Sequence, residues 1–290
     1  MASRLEWGLI PAVPVPFRGS VLAGDVQRAY ARWMALQPIA GVAVWAHTGR
    51  GPHLSLEARR CVLETWRAAL PQKVVIAGAT SLAMAREARA WGADALLAFP
   101  RRDDPVGYHA ALGDELPVVA FYLYEAAGGV PYDDATLHAI LELPAVIGIK
   151  VATLDSVITF QRIAAIAREH ADKLLITGED RFLGYSVMVG ARAALVGMGA
   201  ALTDLQVRLL RAFAERDLHT FLALTFLLDG FASTTFAFPV EGYVRRMLWA
   251  LAADGIIPDD ACDDPWGPAL GAPDRDRVAR AVRDARAARP

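Results

Sequence analysis

Lysine is nearly absent from this chain. Of its 30 basic residues only three are lysines, Lys73, Lys150 and Lys173, and arginine carries the rest of the positive charge. Cysteine is as scarce: Cys61 and Cys262 lie far apart and neither belongs to a CxxC pair, so the plain reading is a reduced, cytoplasmic protein. Charge of one sign is missing too. The net charge is −2 with no basic tract, which excludes nucleic acid as an expected partner. No apolar run reaches the ~18 residues of a membrane span. The most apolar stretch, TFLALTFLLDGFASTTFAF (220–238), is interrupted by Asp229 and a Ser-Thr-Thr cluster. The opening MASRLEWGLIPAVPVPF lacks the long apolar core of a signal peptide. Glycine-rich phosphate loops are missing as well: neither GxGxxG nor GxxxxGK[ST] occurs, and GMGAAL (197–202) lacks the last glycine of the first pattern.

What is present is a filled globular composition, 54% hydrophobic and 21% charged over 290 residues. Short apolar runs alternate with longer Ala/Arg/Leu-rich segments of helical period. The expected strands are 8–15, 41–46, 73–78, 94–99, 117–122, 145–150, 173–178 and 193–198, starting 20 to 33 residues apart, the length of a βα unit. Near-continuous apolar strands are what parallel sheets buried on both faces require. Segments such as SLEARRCVLETWRAAL (55–70) and SLAMAREARAWG (81–92) read as amphipathic helices between them. Eight such units predict an α/β fold, a closed (β/α)8 TIM barrel, over residues 1–220. Residues 221–290 are expected to form a small C-terminal helical region packed on it.

In such barrels the chemistry sits where strands end, and the opposite face serves stability. Lys73 and Lys173 open strands, whereas Lys150 closes one, at the end of AVIGIK. Burial disfavours the charged form of an amine, and a neutral amine attacks ketones. Arginine stays protonated and cannot do this. The alternative role for Lys150 is a structural ion pair or a snorkelling side chain. Tyr122, ending AFY on the neighbouring strand, is placed to relay protons, or else fills the barrel mouth. AHTGRG (46–51) offers Thr48 and Gly49, a turn whose hydroxyl and amides suit a carboxylate.

These residues resemble the dihydrodipicolinate synthase / N-acetylneuraminate lyase family of Schiff-base aldolases. The resemblance runs from GLIPAVPVPF (8–17) to GIIPDD (255–260). It includes a counterpart of the family's GTTGE turn followed by LS-x-E-x-R, the GADALL strand, the GIK strand end and GED (178–180). The Tyr122–Lys150 separation, 150 − 122 = 28, matches as well. The resemblance implies Lys150 as Schiff-base lysine, Tyr122 as proton shuttle, a 2-oxo acid substrate, no metal or organic cofactor, and a homotetramer built as a dimer of dimers, or a homodimer. His47 and His53 flank a turn without a third ligand, so no metal site is expected.

The chain departs from the family in three places. His47 replaces the relay threonine of GTTGE, either as an acid or base near neutral pH or as a strand cap. PRR, with Arg101 and Arg102, replaces the motif whose tyrosine completes the relay across a subunit interface. LYEAAGG replaces NVPGRTG, so Ala127 stands where an arginine clamps an aldehyde's carboxylate, which points away from dihydrodipicolinate synthase itself. The expected reaction is cleavage or formation of a 4-hydroxy-2-oxo acid from pyruvate and an aldehyde. Lys150, Tyr122 and His47 are its expected catalytic residues, and Thr48, Gly49, Glu125 and Arg102 bind substrate. Glu125 suits an aldehyde with a polar or cationic tail, whereas Arg50, Arg101 and Arg102 oppose that reading if they point inward. Two alternatives stay open: a dehydratase or deaminase working through the same imine, and a non-catalytic 2-oxo acid binding or scaffold protein.

Overall fold

After a short antiparallel pair, β1 (Phe17–Arg18) and β2 (Val21–Leu22), the chain lays down seven parallel strands hydrogen-bonded in chain order. They are β3 (Gly41–Val44), β4 (Val74–Ala79), β5 (Ala95–Ala98), β6 (Val118–Leu123), β7 (Val146–Ala152), β8 (Leu174–Thr177) and β9 (Ala193–Ala194). The computed structural model describes residues 1–154 and 156–288. Each of the seven falls within an expected strand or overlaps most of it, though β9 keeps only two of six residues.

The strand expected over 8–15 is not a regular strand. It touches both edges of the sheet through isolated parallel bridges, Leu9 with Ala194 and Ala12 with Ala43. The cause is proline: Pro11 and Pro14 have no N–H to give a ladder. The donors that remain still close the ring. Ile10 N donates to Ala194 O (2.7 Å), Ala12 N to Val196 O (2.9 Å) and Val13 N to Ala43 O (3.1 Å), while Ala43 N donates to Pro11 O (2.8 Å). Seven strands and one proline-interrupted segment therefore make the barrel, an α/β fold with helices around it and further helices at the C-terminal end.

Strand alternation divides the apolar side chains into two layers. Ile10, Ala43, Ile76, Leu97, Val119, Phe121, Leu174, Ile176 and Leu195 fill the interior as a packed core. Their neighbours, among them Val44, Val75, Leu96, Ala120, Tyr122, Val151 and Leu175, face the surrounding helices. Helices Leu56–Ala69, Leu82–Ala90 and Val157–Glu169 begin where serines cap them: Ser55 accepts from Ala58 N, Ser81 from Met84 N and Ser156 from Thr159 N.

Four longer helices follow β9: Thr203–Ala214, Leu218–Thr235, Tyr243–Ala253 and Ala272–Ala287. The sequence division at 220/221 falls inside the second of them. That helix holds the most apolar stretch and buries Phe221, Leu224, Leu228 and Phe231. Among the described residues no single helix is long and apolar enough to cross a membrane. The segment between the second and third helices, residues 236–242, crosses the C-terminal mouth of the barrel and brings Phe236 and Glu241 to it, and Tyr243, the first residue of the third helix, follows them there.

Candidate active site

Lys150 points into the barrel. Its partner across the sheet is Phe121, and its Nζ stands 4.1 Å from that ring's centroid, with the lysine only 5% exposed. Among the described residues it makes no hydrogen bond or ion pair. Room for the side chain comes from Gly178, just past β8. A Cβ at 178 would stand 2.6 Å from Lys150 Cε and 2.9 Å from Ala152 Cβ. Gly178→Ala is therefore expected to displace the amine. Misplacement of a reacting group by about 1 Å costs up to ~100-fold in rate, so adduct formation on Lys150 should slow roughly 10- to 100-fold with an unchanged circular dichroism spectrum.

Burial pushes the Lys150 ammonium down to about 8, against the opposing pull of the Asp180 and Glu179 carboxylates. The same burial raises both acids to about 7. Glu179 is held by its donors: Oε1 accepts from Thr153 N (2.6 Å) and Thr153 Oγ1 (2.9 Å), and Oε2 from Leu154 N (2.9 Å). It thereby fixes the turn directly after β7, where Leu154 has a left-handed φ of 57°. Asp180 accepts from Met198 N (2.6 Å) and lines the same cavity as Lys150.

That cavity is small, about 20 Å³, and is bounded by His47, Thr48, Phe121, Tyr124, Asp180 and Tyr243 besides the lysine. It shares Leu123, Tyr124, Leu154 and Phe236 with a wider cleft of about 680 Å³. Thr48 is buried and its Oγ1 lies 3.0 Å from Tyr243 Oη. Gly49 sits in the turn behind it, where a Cβ would come within 3.0 Å of Val13 O. His47 Nδ1 also lies 3.0 Å from Tyr243 Oη, and its Nε2 is 3.4 Å from Glu241 Oε2. Burial, then the nearby Arg50 and Lys150 cations, push its imidazolium down to about 3. His47 is thus neutral throughout the physiological range, a donor and acceptor rather than the near-neutral acid its residue type suggests.

The two tyrosines exchange places relative to expectation. Tyr122 pairs with Val151, and alternation turns it toward the helices, away from the Lys150 cavity, at the side of the wider cleft. Tyr124, two residues further, lines the Lys150 cavity. Its Oη donates to Glu241 Oε1 at 2.7 Å, and burial raises its phenol well above the ordinary value. The even spacing of 28 identifies the right strand but not the side on which its residues point. Tyr124, Asp180, Glu241 and Tyr243 are site residues that motif reading missed. Parity accounts for Tyr122 alone: Lys150 and its cross-strand partner Phe121 face inward, so Tyr122 faces out, whereas Tyr124 lies just past the strand's end at Leu123 and reaches the cavity because the chain leaves the sheet there.

Glu125 is exposed on a short 3-10 turn (Glu125–Ala127) at the rim of the wider cleft. Arg101 and Arg102 are exposed and line neither cavity; the Arg101 guanidinium lies 5.5 Å from the Tyr108 ring centroid. Arg50 does not point at substrate space. It is buried in a two-pronged pair with Asp264, Nε to Oδ1 at 3.1 Å and Nη2 to Oδ2 at 2.6 Å. Among the described residues no group of three His, Cys, Asp or Glu side chains is placed to hold a metal ion.

The arrangement is a barrel with a buried lysine at its C-terminal mouth, and its fold and sequence are similar to those of lyases. Over 227 residues the chain is 29% identical to a 4-hydroxy-tetrahydrodipicolinate synthase of Ruegeria pomeroyi, covering 73% of this chain and 75% of that protein. Its fold superposes on a dihydrodipicolinate synthase from Agrobacterium tumefaciens with a TM-score of 0.86 at 20% identity, covering 97% of this chain and 98% of the other. An N-acetylneuraminate lyase from Mycoplasma synoviae gives 0.80 at 18% identity, covering 98% and 99%. No protein-family model matches the chain. The chain is therefore similar in sequence to a 4-hydroxy-tetrahydrodipicolinate synthase and shares its fold with dihydrodipicolinate synthases and N-acetylneuraminate lyases.

Proposed function

We propose that the protein cleaves or forms a 4-hydroxy-2-oxo acid, with pyruvate and an aldehyde as the other side of the reaction, through an imine on Lys150. The observation that carries this reading is the buried, unpaired amine at the barrel mouth, facing Thr48 and Tyr124 across one cavity. Neutral Lys150 attacks the 2-oxo carbon, water leaves, and the protonated imine draws electrons from the C3–C4 bond. Tyr124 takes the role assigned to Tyr122 from spacing. The Thr48 hydroxyl and the amides of Thr48 and Gly49 would hold the C1 carboxylate. Arginine is absent from residues 125–130, so no fork for a second carboxylate stands after either tyrosine, which speaks against dihydrodipicolinate synthase activity. The cleft presents Glu125 and Glu241 together with Arg181, which suits an aldehyde with a polar tail. The same reading takes the protein as a cytoplasmic homodimer or dimer of dimers, needing no cofactor.

Borohydride trapping with pyruvate, read by intact mass and peptide mapping, tests the imine. The expected product is a reduced pyruvyl adduct on Lys150. Only the neutral amine reacts, so with its ammonium lowered to about 8 the initial rate should fall about tenfold per pH unit below that value and level off above it. Absence of an adduct where a known relative is trapped would remove the reading. Free pyruvate among the products then separates an aldolase from a dehydratase working through the same imine.

A further inference from the structure

The sequence lacks the tyrosine that would complete a relay from another subunit, yet a continuous chain of polar contacts leaves Tyr124 within one chain. Tyr124 Oη donates to Glu241 Oε1 (2.7 Å), Glu241 Oε2 faces His47 Nε2 (3.4 Å), and His47 Nδ1 faces Tyr243 Oη (3.0 Å), which also meets Thr48 Oγ1 (3.0 Å). One assignment of hydrogens satisfies every contact. His47 carries its proton on Nε2 and donates to the carboxylate, and Tyr243 donates to Nδ1 while accepting from Thr48. Arg50 stands behind the carboxylate, Nη1 at 3.7 Å from Glu241 Oε2 and Nη2 donating to its backbone oxygen at 3.2 Å.

We infer that Glu241, a residue of the segment crossing the barrel mouth, is the proton acceptor that makes Tyr124 a base, and that His47 and Arg50 position it. A phenol hydrogen-bonded to a carboxylate is a poor acid, but its oxygen can accept a proton as it passes its own along. In the cleavage direction the C4 hydroxyl proton moves to Tyr124 Oη as the Tyr124 proton moves to Glu241 Oε1. The C4–O bond becomes a carbonyl, the C3–C4 bond breaks, and its electron pair forms the C2–C3 double bond while the imine pair returns to the Lys150 nitrogen. Glu241 is left as the carboxylic acid. The proton then returns through Tyr124 to C3 of the enamine, restoring the imine and the carboxylate, and no other reactant is required. Neutral His47 supplies a fixed N–H and no proton of its own, consistent with the burial that keeps it uncharged. The relay is therefore a carboxylate held by an imidazole in place of a threonine bridging two tyrosines.

This inference rests on the Schiff-base reading, and pyruvate alone tests it, because exchange of the C3 protons in deuterium oxide follows enamine formation without any aldehyde. Wild-type protein is expected to form the borohydride adduct and to exchange C3 protons. Glu241→Gln should still accumulate the adduct at saturating pyruvate but exchange ~100-fold or more slowly, within the range by which one proton-transfer group acts. Glu241→Asp is the discriminating variant. Glutamine keeps the length and can still bond Tyr124, whereas aspartate keeps the charge. A proton acceptor predicts that Asp exchanges faster than Gln; a merely structural strut predicts the reverse and overturns the inference. Tyr124→Phe, which leaves Glu241 on His47 and Arg50, should lose exchange to the same extent, and adding Glu241→Gln to it should lose little more. Exchange by Glu241→Gln at the wild-type rate would also overturn it. Failure of wild type to form any adduct would instead sink the Schiff-base reading itself.

Discussion

Lys150→Arg is expected to abolish adduct formation and every reaction that depends on it, with a loss of at least about 1,000-fold against wild type. The change keeps the positive charge but replaces a linear amine with a bulkier planar group. Two facts make the chemistry unforgiving. Arginine does not give up its proton at any working pH, whereas burial brings the Lys150 ammonium down to about 8. At pH 8 about half of such an amine is neutral, against roughly 0.3% for a lysine of ordinary pKa, a gain of ~150-fold in nucleophile before any positioning is counted. The space is also cut to the linear side chain, because Gly178 admits Lys150 Cε and little more. A planar guanidinium there would press on Phe121 and Ala152. Lys150→Ala separates the two effects: it should be as inactive as the arginine variant and at least as stable as wild type, because it relieves the burial of an unpaired amine. Trapping of pyruvate on either variant at another lysine would show that the imine forms elsewhere.

The parts of this protein that a sequence displays are those set by local chemistry. A lysine near the C-terminal end of one strand, β7, and a Thr-Gly turn after another, β3, are visible because residue type and element boundary nearly coincide; β7 runs two residues past Lys150, to Ala152. The barrel itself is visible because parallel strands buried on both faces must be apolar throughout. The proline-interrupted first segment shows the limit of that signal: GLIPAVPV has the composition of a strand, but Pro11 and Pro14 remove the donors that would make it regular. Tyr122 and Tyr124 share a strand parity and differ in where the strand ends: Tyr122 lies within it and faces out, Tyr124 lies just past Leu123 where the chain turns to the cavity, and residue type does not mark that end. Glu241 and Tyr243 were invisible for a different reason. They meet Tyr124 and Thr48 across 117 and 195 residues of chain, through helices whose apolar faces say only that they pack against something.

The remaining large effect concerns what holds that distant segment in place. Asp264→Ala is expected to destabilise the protein by about 3–5 kcal/mol, the usual consequence of leaving one partner of a buried ion pair without the other. Asp264 is 1% exposed at its side chain and Arg50 7%, and they meet through two parallel hydrogen bonds, the strongest geometry the two groups can make. Arg245 also donates to the Asp264 backbone oxygen at 3.0 Å, so the pair ties the helix Tyr243–Ala253 and the segment after it to the turn that carries His47 and Thr48. For a chain of this size the loss corresponds to a fall in melting temperature of roughly 6–10 °C, which calorimetry at constant pH would read. The pair is not expected to be the cheapest way to hold the two elements together. Replacing both residues by apolar ones of similar volume, Arg50→Met with Asp264→Leu, should recover most of the lost stability, because neither charge is then left stranded. It should not recover activity, since Glu241 loses the guanidinium beside its carboxylate and the bond to its backbone oxygen. If the double variant regained both stability and proton exchange, the Arg50–Asp264 pair would be a structural tie alone; if it regained only stability, the pair has been retained for the position it gives Glu241.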